Sequence, residues 1–234
     1  ANTFVLNARG PMGEARLGEF RKANRGLPFQ VVRGDVHDST SLALKLDNET
    51  WPALQRMYDK GEVGDAACFT AHVSAWQRIL DLGLDHALVL EDDAMLTPDI
   101  MARRAVVAPR GADAVVLFGE KATVRMQGSN RVIGGHGAVA TLVTREGARR
   151  MLGIARRTNL PIDLALYQNA LHLRIYGTQR DLVVHSDGGN SVRKAVNVLG
   201  EGGGGWDFFA NAMDVFSFLH SSVSHTCFSV LTFP

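Results

Sequence analysis

His86-Ala87-Leu88-Val89-Leu90-Glu91-Asp92-Asp93 (HALVLEDD) decides how the rest of the chain reads. Its first part is a continuous apolar run, too short for a helix and typical of a strand buried on both faces. The run stops abruptly at three consecutive acids. Just before it, Phe69, Val73, Trp76 and Leu80 recur at steps of four, three and four, the stripe of an amphipathic helix from Gly64 to Leu82, with Gly83 as its stop. Just after it, Thr97-Pro98-Asp99 joins an N-cap, a proline at the first helical position and a first-turn acid, predicting a helix toward Val107. The order is helix, buried strand, helix.

The same alternation extends in both directions. Upstream, Thr3 to Asn7 reads as a strand closed by Arg9-Gly10-Pro11, Glu14 to Asn24 as a helix, Pro28 to Arg33 as a second strand, and Trp51 to Lys60 as a short helix. Downstream, strands are expected at Asp113–Phe118, Ala122–Met126 and Ala138–Val143. Thr144 then caps a helix to about Arg156, and after Pro161 a helix over Asp163–Leu173 leads to short strands near Arg174–Tyr176 and Leu182–Val184. Helices alternating with apolar strands imply an α/β domain, with a mainly parallel, Rossmann-like sheet covered on both faces. Such sheets bind ligands beyond the carboxyl ends of their strands.

Glycines 202 to 205 form a low-complexity stretch, so the chain divides into a domain over 1–200 and a Gly-rich linker with a tail over 201–234. Trp206, Phe209, Met213 and Phe216 predict a final helix, whose apolar face packs on the domain or meets a protein partner or a membrane surface. Across 234 residues, 46% are hydrophobic and 21% charged, an ordinary globular composition. Lys+Arg 25 against Asp+Glu 24 gives a formal charge of +1, so no global field draws nucleic acid, and none is expected as a partner. Cys68 and Cys227 form neither a C-x-x-C pair nor a disulfide framework. With no long apolar run or basic leader, the expected setting is cytoplasmic, with membrane association through the tail as the alternative to its packing on the domain; the Asn48-Glu49-Thr50 sequon is then incidental.

Three acids closing a buried strand repel one another and each is partly desolvated, so positive charge belongs beside them. Carboxylates are hard ligands suited to Mg²⁺ or Mn²⁺, ions that take substrate phosphates as further ligands. Extended backbone would send Glu91 and Asp93 one way and Asp92 the other. The alternative is that Asp92 and Asp93 serve as turn and helix-entry residues.

Gly64-Asp65-Ala66-Ala67-Cys68-Phe69-Thr70-Ala71-His72-Val73-Ser74-Ala75-Trp76 resembles the G-E-[IV]-G-C-x-x-S-H-x-x-x-W block of glycosyltransferase family 25, which includes bacterial lipooligosaccharide and animal collagen galactosyltransferases. Gly64, Cys68, His72 and Trp76 match in register. Leu90-Glu91-Asp92-Asp93 stands where that family has L-E-D-D, and Asn7 with Arg9 resembles its I-N-L-x-R opening. Thr144-Arg145-Glu146-Gly147-Ala148 is similar to its S-R-x-G-A helix start, and Leu160-Pro161-Ile162-Asp163 to its P-[VI]-D step. Asp65, Ala71, Thr141 and His185 depart from the pattern.

The resemblance implies a GT-A fold and an inverting, metal-dependent hexosyltransferase that moves galactose from a UDP-sugar to a saccharide, glycolipid or protein hydroxyl. Asp93 and Glu91, with His185 as third ligand, would hold Mn²⁺ or Mg²⁺, with Asp92 assisting. Asp163 would be the base that deprotonates the acceptor, its alternative role being a helix N-cap. Asn7, Arg9 and Arg16 would contact the nucleotide, and His72, one turn from Trp76, would orient a carboxylate of the acidic loop. Two other readings remain open: an inactive GT-A-like interaction domain, and a metal-dependent nucleotidyltransferase.

Overall fold

The computed structural model describes residues 2–34, 51–118, 123–127, 129–185 and 228–233. The expected loop at 187–205, the tail helix at 206–216 and the sequon lie outside these. In chain order the elements are β1 (Thr3–Ala8), α1 (Pro11–Ala23), β2 (Gln30–Gly34), α2 (Pro52–Asp59), α3 (Val63–Asp81), β3 (His86–Glu91) and β4 (Ala94–Leu96). There follow α4 (Pro98–Arg103), β5 (Ala105–Pro109), β6 (Ala114–Val116), β7 (Thr123–Arg125), β8 (Val132–Gly135) and β9 (Ala140–Thr144). The described chain closes with α5 (Arg145–Ala155), α6 (Ile162–Gln168), β10 (Ile175–Gly177), β11 (Val183–His185) and β12 (Phe228–Thr232).

Six strands form the central sheet in the order β10-β6-β9-β3-β1-β2. β1 pairs in parallel with β2 on one side and β3 on the other, and β10 pairs in parallel with β6. Only β9 runs against its neighbours, antiparallel to both β3 and β6. The sheet is mainly parallel, as expected.

Alternating side chains feed two cores. Phe4, Leu6 and Val89 face Phe69, Val73 and Trp76 of α3, together with Met151 of α5. Val5, Leu88 and Leu90 face Leu17 and Phe20 of α1 and Ile100 of α4 on the other side. Burial on both faces explains why β3 reads as an unbroken apolar run. After β2 the chain crosses back over β1 to reach β3, so the winding reverses at β1 and leaves a crevice beyond the carboxyl ends of β1 and β3.

Three expectations are corrected. The helix opened by Thr97-Pro98 stops at Arg103 rather than Val107. Arg104 takes a left-handed conformation, φ 46°, its N–H bonded to Ile100 O, and its carbonyl accepts from Phe233 N–H at 3.0 Å. The β-branched Val106 and Val107 then continue as β5, which pairs antiparallel with β12. The end of the 201–234 segment, Phe228–Thr232, is therefore a strand paired with the domain rather than part of a helical tail, and Phe233 is buried. Likewise α6 ends at Gln168, not Leu173, because Asn169 leaves helical geometry and its side chain bonds back to Ala165 O.

Thr144 caps α5 by accepting from Gly147 N–H at 3.1 Å. A Cβ on Gly147 would lie 1.9 Å from the backbone oxygen of Asp113, so the helix start and the β6 entry touch backbone to backbone. Gly153, later in the same helix, would meet only the flexible end of Arg157 at 3.9 Å. Gly147→Ala is expected to cost about 1–3 kcal/mol in urea unfolding, whereas Gly153→Ala should gain about 0.5–1 kcal/mol. Equal effects at the two positions would contradict the close contact.

Candidate functional site

A cleft of about 300 Å³ opens at the crevice. Its floor is the ends of β1 and β3, including Asn7 and the acids Glu91, Asp92 and Asp93. The first turns of α3, with Gly64 and Cys68, form one wall; Gly137, Asp163 and His185 lie on the others. The strand ends supply the acids here because β3 stops at Glu91 and Asp92-Asp93 form a turn into β4.

That turn overrides the expected alternation. Asp92 and Asp93 share one partner, Arg16 of α1, whose guanidinium pairs with Asp92 Oδ1 and lies 2.8 Å from Asp93 Oδ2. Glu91 instead faces α3, where His72 Nε2 lies 3.4 Å from its Oε1. So Glu91 and Asp93 do not turn together: once the chain bends, the two-residue period of a strand no longer governs direction.

Asp92 is nearly enclosed, with 6% of its side chain exposed. Asn7 Nδ2 donates to its Oδ2 at 2.5 Å and to Gly13 O at 2.8 Å. Burial pushes the Asp92 carboxyl from the ordinary 3.8 up to about 6, against the opposing pull of Arg16 and Asn7. Asp93 is also raised, by burial and then by the Glu91 charge. Its Oδ2 lies 3.0 Å from His185 Nε2, which the antiparallel pairing of β11 with β4 sets opposite Ala94. Its Oδ1 is buried with no hydrogen-bond partner among the described residues. A buried carboxylate oxygen in that condition is costly, and a cation, a hydrogen-bond donor or a proton would relieve it.

Across the cleft Asp163, 7% exposed, sits in the first turn of α6 rather than at its cap, which is Pro161. Its oxygens accept from Gly137 N–H at 3.2 Å and from Leu164 N–H at 2.9 Å. Tyr167 OH donates to Gly137 O at 3.0 Å; burial, then the Asp163 charge, raises that phenol.

The structure thus brings Asn7, Arg16, Glu91, Asp92, Asp93, Asp163 and His185 to one cleft, with His72 behind Glu91. It does not bring Arg9, which is exposed where the chain bends at Gly10 and does not line the cleft. Arg16 and Asn7 hold the acids, rather than presenting themselves only to a ligand. Sequence reasoning gave no role to Cys68, to Phe118, whose ring centroid lies 6.1 Å from that of His185, or to Arg33, which donates to Asn7 Oδ1 and pairs with Glu14. A signal for Arg33 existed, a cation at the carboxyl end of the second strand.

Residues 19–110, under half of the chain, match the sequence profile of glycosyltransferase family 25, described as an LPS biosynthesis protein. The matched span holds the α3 block and the acids of β3, the family 25 features that line the cleft. A lacto-N-neotetraose biosynthesis glycosyltransferase, LgtE, from Neisseria meningitidis serogroup B is 35% identical over 75 residues, 32% of this chain and 26% of that protein. The chain thus spans about a quarter of the length of this curated relative. Two solved structures are similar more weakly. One is a glycosyltransferase involved in glycosylation of the major capsid of PBCV-1, with TM-score 0.43 and 10% identity over 84% of this chain and 98% of that one. The other is a Drosophila β-1,4-galactosyltransferase 7 variant in complex with manganese, UDP-Gal and xylobiose, with TM-score 0.42 and 14% identity over 83% of this chain and 74% of that one. At those scores the cleft has to be read from its own residues.

The raised Asp92 has a measurable consequence. Between pH 4 and pH 6 the folded chain retains a proton that the unfolded chain has released. The Asp92 contribution to stability is therefore present at low pH and lost as pH rises through about 6. Denaturant unfolding of the ligand-free protein should show a decline on the order of 2 kcal/mol from this residue between pH 4 and pH 7. Asp92→Asn should remove that decline; an unchanged pH profile in the variant would show that Asp92 titrates normally.

Proposed function

We propose that this chain carries the donor-binding and catalytic centre of a GT-A glycosyltransferase that moves a hexose, galactose by family resemblance, from a UDP-sugar to a hydroxyl of a saccharide or glycolipid. The observation that carries the reading is Asp93: a buried carboxylate oxygen without a partner among the described residues, in a cleft at the sheet's switch point, inside the segment that matches family 25. The family description, LPS biosynthesis, and the oligosaccharide named for LgtE support a saccharide or glycolipid acceptor. The cytoplasmic setting, and any contact of the tail with a membrane or protein partner, belong to the same proposal.

A divalent cation such as Mn²⁺ or Mg²⁺ fits the donor set: Asp93 and His185 would hold it with Asp92 beside them, and it would supply Lewis-acid stabilisation to the departing diphosphate. The protein's own groups do the rest. Arg16 keeps fixed positive charge against the phosphates. Asp163 takes the proton of the acceptor hydroxyl as the oxygen bonds to the anomeric carbon and the bond to the diphosphate breaks on the opposite face, which inverts that carbon. Its two backbone N–H partners hold the carboxylate in place for that transfer.

One observation favours a second reading, a catalytically inactive interaction domain whose cleft takes no sugar nucleotide: Arg16 already pairs with both Asp92 and Asp93. Thermal unfolding with UDP and Mn²⁺ separates the two. At a hundredfold excess over Kd the transferase reading expects about 2.7 kcal/mol of added stability, lost in Asp93→Asn. Asp163→Asn should keep that stabilisation while transfer from UDP-galactose falls by about 10²–10⁴. No stabilisation by UDP with either metal would favour the non-catalytic cleft, and full turnover in Asp163→Asn would remove the residue from the base role.

A further inference from the structure

The wall of the cleft carries a second constellation that the transfer chemistry does not use. Cys68 and His72 stand four residues apart on α3, so both project from one face one turn from each other. Glu91, at the end of β3, closes the group from the sheet. His72 Nε2 lies 3.4 Å and Cys68 Sγ 4.0 Å from Glu91 Oε1, and one ligand atom of each residue lies within 4.8 Å of the others. His72 is 3% exposed, and its ring packs on Trp76 at 5.7 Å between centroids, which fixes its plane.

We infer that Cys68, His72 and Glu91 form a zinc-class cation site, separate from the acids that face Arg16. Tetrahedral zinc with ordinary bond lengths sets sulfur, nitrogen and oxygen ligands about 3.3–3.6 Å apart. The His72–Glu91 spacing already meets that range, and Cys68 needs a shift of well under one side-chain length. The donor set selects the ion: a thiolate and an imidazole beside one carboxylate suit borderline-soft Zn²⁺, whereas Mg²⁺ and Mn²⁺ favour oxygen ligands. Because Cys68 and Glu91 both line the cleft, a cation held there would be reachable from it and could take water or a ligand oxygen. Binding deprotonates the thiol, with the proton passing to solvent. The inference stands apart from the transferase reading, whose cation uses Asp93 and His185.

Titration of the metal-free full chain with Co²⁺, followed by Zn²⁺, tests it. One equivalent of Co²⁺ should produce thiolate-to-cobalt charge-transfer absorption, and Zn²⁺ should displace it. Cys68→Ser should abolish the band, while Cys227→Ser and Asp93→Asn keep it. His72→Gln should weaken cobalt binding at least roughly tenfold with an unaltered circular dichroism spectrum. Glu91→Gln, at the more open edge, provides the same comparison if His72→Gln lowers the folded yield. Absence of the band in the unaltered chain, or its survival in Cys68→Ser, would overturn the site. Stabilisation by UDP and Mn²⁺ in Cys68→Ser reports on the transferase reading alone.

Discussion

Two carboxylates buried side by side at the end of a strand are the constraint around which this site is built. Their mutual repulsion and lost hydration would be prohibitive without a cation and directed donors. Arg16 supplies the charge to both Asp92 and Asp93, and Asn7 supplies an amide to Asp92. These partners come from α1 and β1, so the acids of β3 bind the first strand-helix unit to the third strand. Gly13 makes the geometry available: a Cβ there would fall 1.9 Å from Ala8 O, and only its absence lets α1 approach the end of β1 closely enough for Arg16 to reach across.

The compensation is incomplete, and the shortfall is where chemistry can enter. Burial still holds the Asp92 carboxyl up at about 6, and Asp93 retains one buried oxygen without a partner among the described residues. A site whose charges were fully satisfied would be structural cement. This one holds an unmet demand for positive charge at the switch point of an α/β sheet, facing Asp163 across a cleft large enough for a ligand.

Much of this was legible along the chain. The apolar run of β3, the stripe of α3 and the Thr144 cap of α5 each follow from local pattern, because burial on a given face leaves a period in the sequence. The acids were legible for the same reason, since charge ending a buried strand is conspicuous. What was misread depended on contacts far along the chain. Val106 and Val107 leave the helix because β12 pairs with them and Phe233 holds Arg104 in a left-handed turn. Arg9, grouped with Asn7 by the resemblance, is exposed where the chain bends at Gly10 and does not line the cleft.

By itself the sequence determined which residues are apolar enough to be buried, and hence the succession of strands and helices, and it marked Glu91, Asp92 and Asp93 as candidates for the site, with Asp163 added by the family resemblance. Only the tertiary structure decided which of them share a partner. The turn at Asp92-Asp93 breaks the strand's period, directing Glu91 to Cys68 and His72, 23 and 19 positions away, and its two neighbours to Arg16, 77 positions from Asp93. Side-chain direction beyond a strand end is set by what the fold brings close, and no local period encodes that.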